Sequence, residues 1–410
     1  MAESDAADIG KTALVLAGGA ARGAYEVGVV DHVLRHVTHS LGRPVRFDIL
    51  CGTSVGALNA CGLAAFADLP PEQLADRLVD IWTHLDIKEL VRPDMRGVFD
   101  LGGRFLGRSP PAKKDGGEPA NRDGGFLDPT GLEALVKRAV PFEQIDRHIA
   151  EGWLDALTLS TTHVATGRTV VFVQQRDEAP IRWNDPHTSA IASKIRASHA
   201  LASAAIPLLF RAVAIDGAWY CDGGLRQNVP LSPARRLGAD RVLVVNPRHM
   251  TPIDEEAKPE TGDAPGPLFL LGKTLNALLL DRIDNDIARL DSINKILEAG
   301  TRAFGPTFAD ALNLELGKRP GTGLRPLRAL LVRASEDIGA HASDFVRRPG
   351  FSRIGGLIGR FLRALAESDP KSESDLLSYV LFDGEFAAEL IDMGRRDAAA
   401  RHEEICAFFS

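Results

Sequence analysis

The chain has 410 residues, of which 45% are hydrophobic and 25% charged, with a formal net charge of −7. That length can bury one large core or two ordinary ones, and the composition is that of a globular protein. Acidic and basic residues are interspersed with a mild acidic excess, which excludes a polyanion such as nucleic acid as a general partner.

The first residues, MAESDAADIGK, are polar and acidic and do not read as a signal peptide. No later apolar run is long enough to span a bilayer. The expectation is a cytoplasmic protein whose contact with a membrane, if any, is peripheral.

KTALVLAGG (11–19) is a short apolar run ending in glycines, which reads as a buried strand. GAYEVGVVDHVLRHVTHSL (23–41) follows with Val27, Val30, Val33, Leu34, Val37 and Leu41 at helical spacing. FDILCG gives a second strand, SVGALNACGLAAFA a second helix, and PEQLADRLVDIWTHL a third helix begun by Pro70 and Pro71. Strand, helix, strand, helix predicts parallel strands covered by helices, an α/β fold.

From 93 to 128 the pattern dissolves into Gly, Pro and charge, and the segment reads as a long surface loop where a lid could sit. Regular structure resumes with DPTGLEALVKRAV. DALTLSTTHVATGRTVVFVQQ reads as two strands joined at Ala165-Thr166-Gly167. A helix is expected over 187–204, then a strand and turn in RAVAIDGAWYCDGG, and a buried strand in RVLVVNP (241–247). A polar Pro/Gly linker at 251–267 separates this part, 12–250, from a mainly helical region, 268–410. One late strand, LRALLVRAS (327–335), could rejoin the first sheet, in which case the second region is no separate domain.

Chemistry is first suggested by Gly52-Thr53-Ser54-Val55-Gly56, between a strand and a helix. Here the glycines permit a tight turn, the turn holds the Ser54 hydroxyl clear, and the next helix presents free N–H groups. Such a pattern also arises by chance, and a plain turn serine is the competing reading. The first strand ends in Gly18-Gly19-Ala20-Ala21-Arg22-Gly23, small residues that expose backbone N–H groups to a developing oxyanion, with Arg22 adding charge or bracing the loop. A nucleotide-type glycine turn is the alternative, but Ala20 stands where the dinucleotide spacing requires glycine. Asp222 precedes Gly223 and Gly224 at the end of an apolar stretch. It suits a general base, although an Asp-Gly hairpin turn is the ordinary use of that dipeptide.

Together, in this order and in matching strand contexts, these segments resemble the patatin-like phospholipases. ASAAIPLLFRAVAIDG (202–217) and the Asn-Val-Pro after Asp222-Gly223-Gly224 are also similar to that family, so the resemblance covers residues 12 to about 247. It implies a three-layer fold with a central, mostly parallel sheet. It implies a serine–aspartate dyad of Ser54 and Asp222, supported by Gly52, Gly56, Gly223 and Gly224, with the amides of Gly18, Gly19, Ala20, Ala21, Arg22 and Gly23 as oxyanion hole. The implied substrates are acyl esters, chiefly of lipids, cleaved without a metal or other cofactor. An acyltransferase or thioesterase could use the same dyad, and an idle lipid-binding or interaction protein could retain the fold. Ala20 departs from the family's third glycine. Alanine keeps its N–H but is expected to exclude loop conformations with positive φ.

Other candidates are weaker. His32, His36 and His39 share one helix face, where a polar surface is the better reading than a metal site. His163, His199 and His341 are the candidates for a histidine base, and none has a motif around it. Cys51, Cys61, Cys221 and Cys406 follow no paired spacing and read as buried free thiols, with Cys51 on the strand before the turn. GPLFLLGKT (266–274) fails as a phosphate-binding loop because Pro267 stands where the first glycine belongs. Membrane contact is suggested by Phe99, Leu101, Phe105 and Leu106. It is suggested again by the basic amphipathic pattern of 350–365, with Phe351, Ile354, Ile358, Phe361 and Leu362 on one face beside Arg353, Arg360 and Arg363. A helix packed on the domain is the competing reading there.

Overall fold

The computed structural model describes residues 10–90, 127–177, 187–207, 209–250, 283–316, 323–353 and 375–410, together with 181, 183, 359, 362 and 363. All but the last two residues of the expected loop at 93–128, Phe99, Leu101, Phe105 and Leu106 among them, fall outside the described residues. So do the linker at 251–267 and, in the amphipathic pattern, Ile354, Ile358, Arg360 and Phe361.

Nine strands are described: β1 (Thr12–Leu16), β2 (Ile49–Thr53), β3 (Ala156–His163), β4 (Thr169–Gln175), β5 (Thr188–Ala192), β6 (Val213–Ile215), β7 (Ala218–Asp222), β8 (Arg241–Asn246) and β9 (Arg328–Arg333). Their order is β5-β4-β3-β2-β1-β8-β9, and the β6–β7 hairpin pairs with β3 through β7. β3, β2, β1, β8 and β9 run parallel, while β4 and β7 are antiparallel to β3. The sheet is therefore mixed but mostly parallel, and helices flank both faces.

Both faces are covered, so the strands are continuous apolar runs rather than alternating ones. Leu14 and Leu16 enter the larger core, under α1 (Gly23–His32), α2 (Val55–Ala65) and α3 (Pro71–Thr83). Ala13, Val15 and Ala17 enter the second core with Leu231 and Ala234 of the short helix Leu231–Arg236 and Leu290 of the helix Ile283–Phe304. α1 continues through a wider turn at Val33–Val37 to Leu41, giving the long helix that the spacing predicts. The hairpin at Ala165-Thr166-Gly167 forms between β3 and β4, with Gly167 at φ +63°.

β9 pairs with β8, so the late strand does rejoin the first sheet. Beyond it come α4 (Ile338–Arg347), α5 (Asp375–Val380), α6 (Gly384–Ala400) and α7 (His402–Phe409), the helical C-terminal region. Phe351 and Leu362 are buried in the larger core, as the packed reading of 350–365 expects for these two residues.

One segment is corrected. The expected helix over 187–204 is a strand, β5, followed by a helix only at Ala197–Ser203. Thr188–Ala192 pairs parallel with β4, whose free edge supplies backbone partners that outweigh a weak local helical preference.

Candidate active site

The register Leu16↔Gly52 and Leu16↔Val245 brings the C-terminal ends of β1, β2 and β8 level. The glycine loop and the Ser54 elbow therefore emerge side by side at one sheet edge, where ligands of parallel sheets bind. Ser54 takes φ 54° and ψ −125°, a strained backbone for a residue with a Cβ. The surroundings fix it: its N–H donates to Ser203 Oγ at 2.9 Å, and Ser203 Oγ donates to the Ser160 carbonyl at 2.6 Å. Gly52 and Gly56 allow the close approach, since a Cβ on Gly56 would lie 2.4 Å from the Leu16 carbonyl oxygen and one on Gly52 2.3 Å from that of Gly56.

Asp222 ends β7 on the neighbouring side. Its N–H donates to Ala205 O at 2.9 Å, its carbonyl accepts from Thr162 Oγ1 at 2.9 Å, and its Oδ1 accepts from Gly224 N–H at 2.7 Å. The residue is fully buried, and Oδ2 has no completed hydrogen bond. Burial pushes the carboxyl up to about 7, partly offset by the nearby Ser54 hydroxyl and the Gly224 N–H. Asp222 does not form a hairpin turn. That role belongs to Asp216-Gly217, both at positive φ, between β6 and β7.

In the loop, Gly18 N–H donates to Asn228 O at 3.1 Å, Arg22 N–H to Gly19 O at 3.0 Å, and Gly23 N–H to Ala20 O. No acceptor among the described residues meets the N–H groups of Gly19, Ala20 and Ala21. Ala20 sits at φ 49°, so the expectation that alanine excludes positive φ here is overturned: the packed loop imposes a conformation that the residue by itself disfavours.

Four neighbours were given no role from the sequence, although Asn228 stands in the Asn-Val-Pro that resembles the family. Ser203 lies within ASAAIP, where a lone hydroxyl among small residues was the available signal. Asn228 donates from Nδ2 to Gly18 O at 3.3 Å, and its Oδ1 is buried without a partner. Gln227 O accepts from Thr53 Oγ1 at 3.0 Å. Glu26, on the buried helix α1, is fully buried, and burial holds its carboxyl well above the usual range. Its Oε2 accepts from Asn59 Nδ2, which also donates to Gly23 O, while Trp82 Nε1 donates to Asn59 Oδ1.

The candidate histidines have partners other than Ser54. His199 hydrogen-bonds with Ser193 Oγ and the Arg196 N–H, and burial takes it down to about 4. His163 pairs with Thr166 Oγ1, and His341 Nε2 lies 2.9 Å from Glu389 Oε2 on α6. His32 Nε2 meets His402 Nδ1 at 3.1 Å. Among the described residues no group of three or more His, Cys, Asp or Glu side chains is arranged to hold a metal. Cys51 and Cys61 are buried free thiols, whereas Cys221 and Cys406 are only half-buried. A cavity of about 330 Å³ lined by Leu34, Phe47, Leu50, Leu63 and Trp153 opens at the far ends of β2 and α2, away from Ser54. Beside the elbow, a smaller apolar pocket of about 60 Å³ is lined by Val55, Leu58, Leu78, Trp82 and Leu132.

Residues 14–235, more than half of the chain, match the family model for patatin-like phospholipase. The chain belongs to the patatin-like phospholipase family. Among solved structures, this patatin-like chain is similar to VipD from Legionella pneumophila at 13% identity, covering 94% of this chain and 67% of that one with a TM-score of 0.29. It is also similar to the heterodimeric ExoU–SpcU complex of the Pseudomonas aeruginosa type III secretion system, at 17% identity, 90% and 68% coverage and a TM-score of 0.26. No curated protein matches. No helix among the described residues is long and apolar enough to cross a membrane.

Proposed function

We propose that this patatin-like chain hydrolyses fatty-acyl esters of phospholipids or related lipids, with Ser54 as nucleophile and Asp222 as its base. One observation carries the reading: a fully buried carboxyl, with Oδ2 uncommitted, lies beside a serine hydroxyl on a strained elbow. A base poised near neutrality is matched to taking a proton at working pH.

In this reading Ser54 Oγ attacks the ester carbonyl carbon and gives its proton to Asp222 Oδ2. The carbonyl electron pair moves onto oxygen, and the N–H groups of Gly19, Ala20 and Ala21 donate to that oxyanion. Collapse expels the alcohol, which takes the proton from Asp222, and leaves an acyl-serine. Water then attacks the acyl carbon and gives its proton to Asp222. The second collapse returns a proton to Ser54 and releases the fatty acid. The pocket lined by Val55, Leu78 and Trp82 suits the start of the acyl chain, being apolar and adjacent to the nucleophile. No metal or cofactor takes part. A lipid substrate would bring the chain to a membrane surface peripherally, from the cytoplasm.

Labelling by a fluorophosphonate probe tests the reading. The wild-type chain is expected to label and Ser54→Ala not to label. Absence of labelling on folded wild-type protein would favour an idle binding protein. An acyltransferase or thioesterase would label equally, and product analysis with an alcohol acceptor present separates those reactions.

A further inference from the structure

The N–H groups of Gly19, Ala20 and Ala21 are held at the edge of the sheet by a loop with Ala20 at positive φ, and a loop so strained keeps its shape only where its surroundings over-determine it. Arg22 closes this loop. Its N–H bonds back to Gly19 O, and it stands at the position just before α1. Its side chain is only 7% exposed, and its partners include two residues of the C-terminal region: Nε donates to Ser378 Oγ at 2.8 Å, and the guanidinium carbon lies 4.5 Å from the centre of the Tyr379 ring. Ser378 is fully buried on α5, which is itself seated in the larger core by Leu377 and Val380, with Leu381 directly after it. Ser378 lies 356 residues from Arg22 in the chain and outside the stretch that matches the family model.

We infer that Ser378 is a positioning residue for the amide loop, acting through Arg22, so that the C-terminal region completes the site. The inference rests on the proposed role of the loop as oxyanion hole. A buried guanidinium must have its N–H groups met. Removing the Ser378 hydroxyl leaves the Arg22 Nε without that acceptor, and the side chain shifts to find another. Arg22 is the next residue after the three uncommitted amides, so a shift of its backbone moves them. An oxyanion interaction exists only in the transition state, so the loss falls on kcat rather than on KM. The Tyr379 ring covers the guanidinium from one side, and the Ser378 hydroxyl is one of the contacts that set its direction.

The test uses the full chain with Ser378→Ala, Ser378→Thr and Arg22→Ala, a soluble chromogenic ester, thermal melting, and hydrogen exchange over residues 17–24. Ser378→Ala is expected to lower kcat by about 10- to 100-fold, with KM and melting temperature little changed and faster exchange confined to the loop. Ser378→Thr, which keeps a hydroxyl, is expected to restore most of the rate. Combining Ser378→Ala with Arg22→Ala should cost no more than Arg22→Ala alone. Wild-type kcat and wild-type exchange in Ser378→Ala would overturn the inference. So would a rate loss that follows the melting temperature and is not restored by threonine. The exchange measurement needs no turnover. An inactive wild-type chain would sink the hydrolase reading, and the loop amides would still decide the brace.

Discussion

A carboxyl sealed from water ionises late, and Asp222, pushed up to about 7 by burial, titrates near neutral pH. As a base it works only when ionised, so kcat/KM is expected to rise with pH through about 7, measured on a soluble ester. Stability runs the other way. The folded value exceeds the ordinary 3.8, so the stability tied to this group is fully present below pH 3.8 and is lost as pH rises through about 7. Asp222→Asn is therefore expected to match the wild type in stability near pH 4, exceed it by up to about 4 kcal/mol at pH 8, and lose activity on the order of 10²- to 10⁴-fold. Urea titrations at the two pH values check the stability half. Ala20 gives a second test. Ala20→Gly removes the strain of φ 49° but loosens the unfolded chain, for a net gain of about 0.5–1 kcal/mol. A fall in the urea midpoint at unchanged slope would contradict it.

Among the elements, α1 and α6 are held at unusually short range. A Cβ on Gly28 would lie 2.0 Å from the Ile391 carbonyl oxygen, and one on Gly394 2.2 Å from that of Tyr25. The crossing also carries Tyr25 Oη donating to Asp397 at 3.0 Å and Arg395 Nε donating to Asp31 at 2.8 Å. Burial raises the Asp31 carboxyl, but hydrogen bonds from Arg395 and Arg35 outweigh it and hold the group below its ordinary value. Backbone faces backbone at the glycines, so no side chain can yield. Gly28→Val is expected to destabilise the protein by about 1–3 kcal/mol or more, read as a drop in the denaturant midpoint. Because α1 follows directly from the amide loop, the same change should slow fluorophosphonate labelling.

At the scale of the molecule, the C-terminal region is built into the sheet and over it. β9 lies beside β8, α6 covers α1, and Arg22 reaches α5. The family match ends at residue 235, and the shared sheet runs past that point. Residues 12–250 and 328–410 should therefore unfold together. Calorimetry is expected to give one transition, with the amides of β9 and β8 exchanging at the same global free energy. Two resolved transitions would show that the C-terminal helices form a unit of their own.

How much of this was legible in the chain follows from the range of the forces involved. The elbow around Ser54, the glycine loop and the buried strands are set by local backbone needs: small residues at tight turns and apolar runs long enough for a strand. Those were readable, as was the order of the motifs that resembles the family. Tertiary structure decided the rest. It assigned the hairpin to Asp216-Gly217 and left Asp222 beside Ser54, a choice that two identical Asp-Gly pairs cannot make locally. It turned Thr188–Ala192 into a strand because β4 offered an edge. It forced Ala20 into a backbone region that its own Cβ opposes, and from far along the chain it brought Ser203 to the elbow and Asn228 and Ser378 to the loop. Strain and burial belong to the packed molecule, so the Asp222 carboxyl near 7 exists only once folding has removed its water.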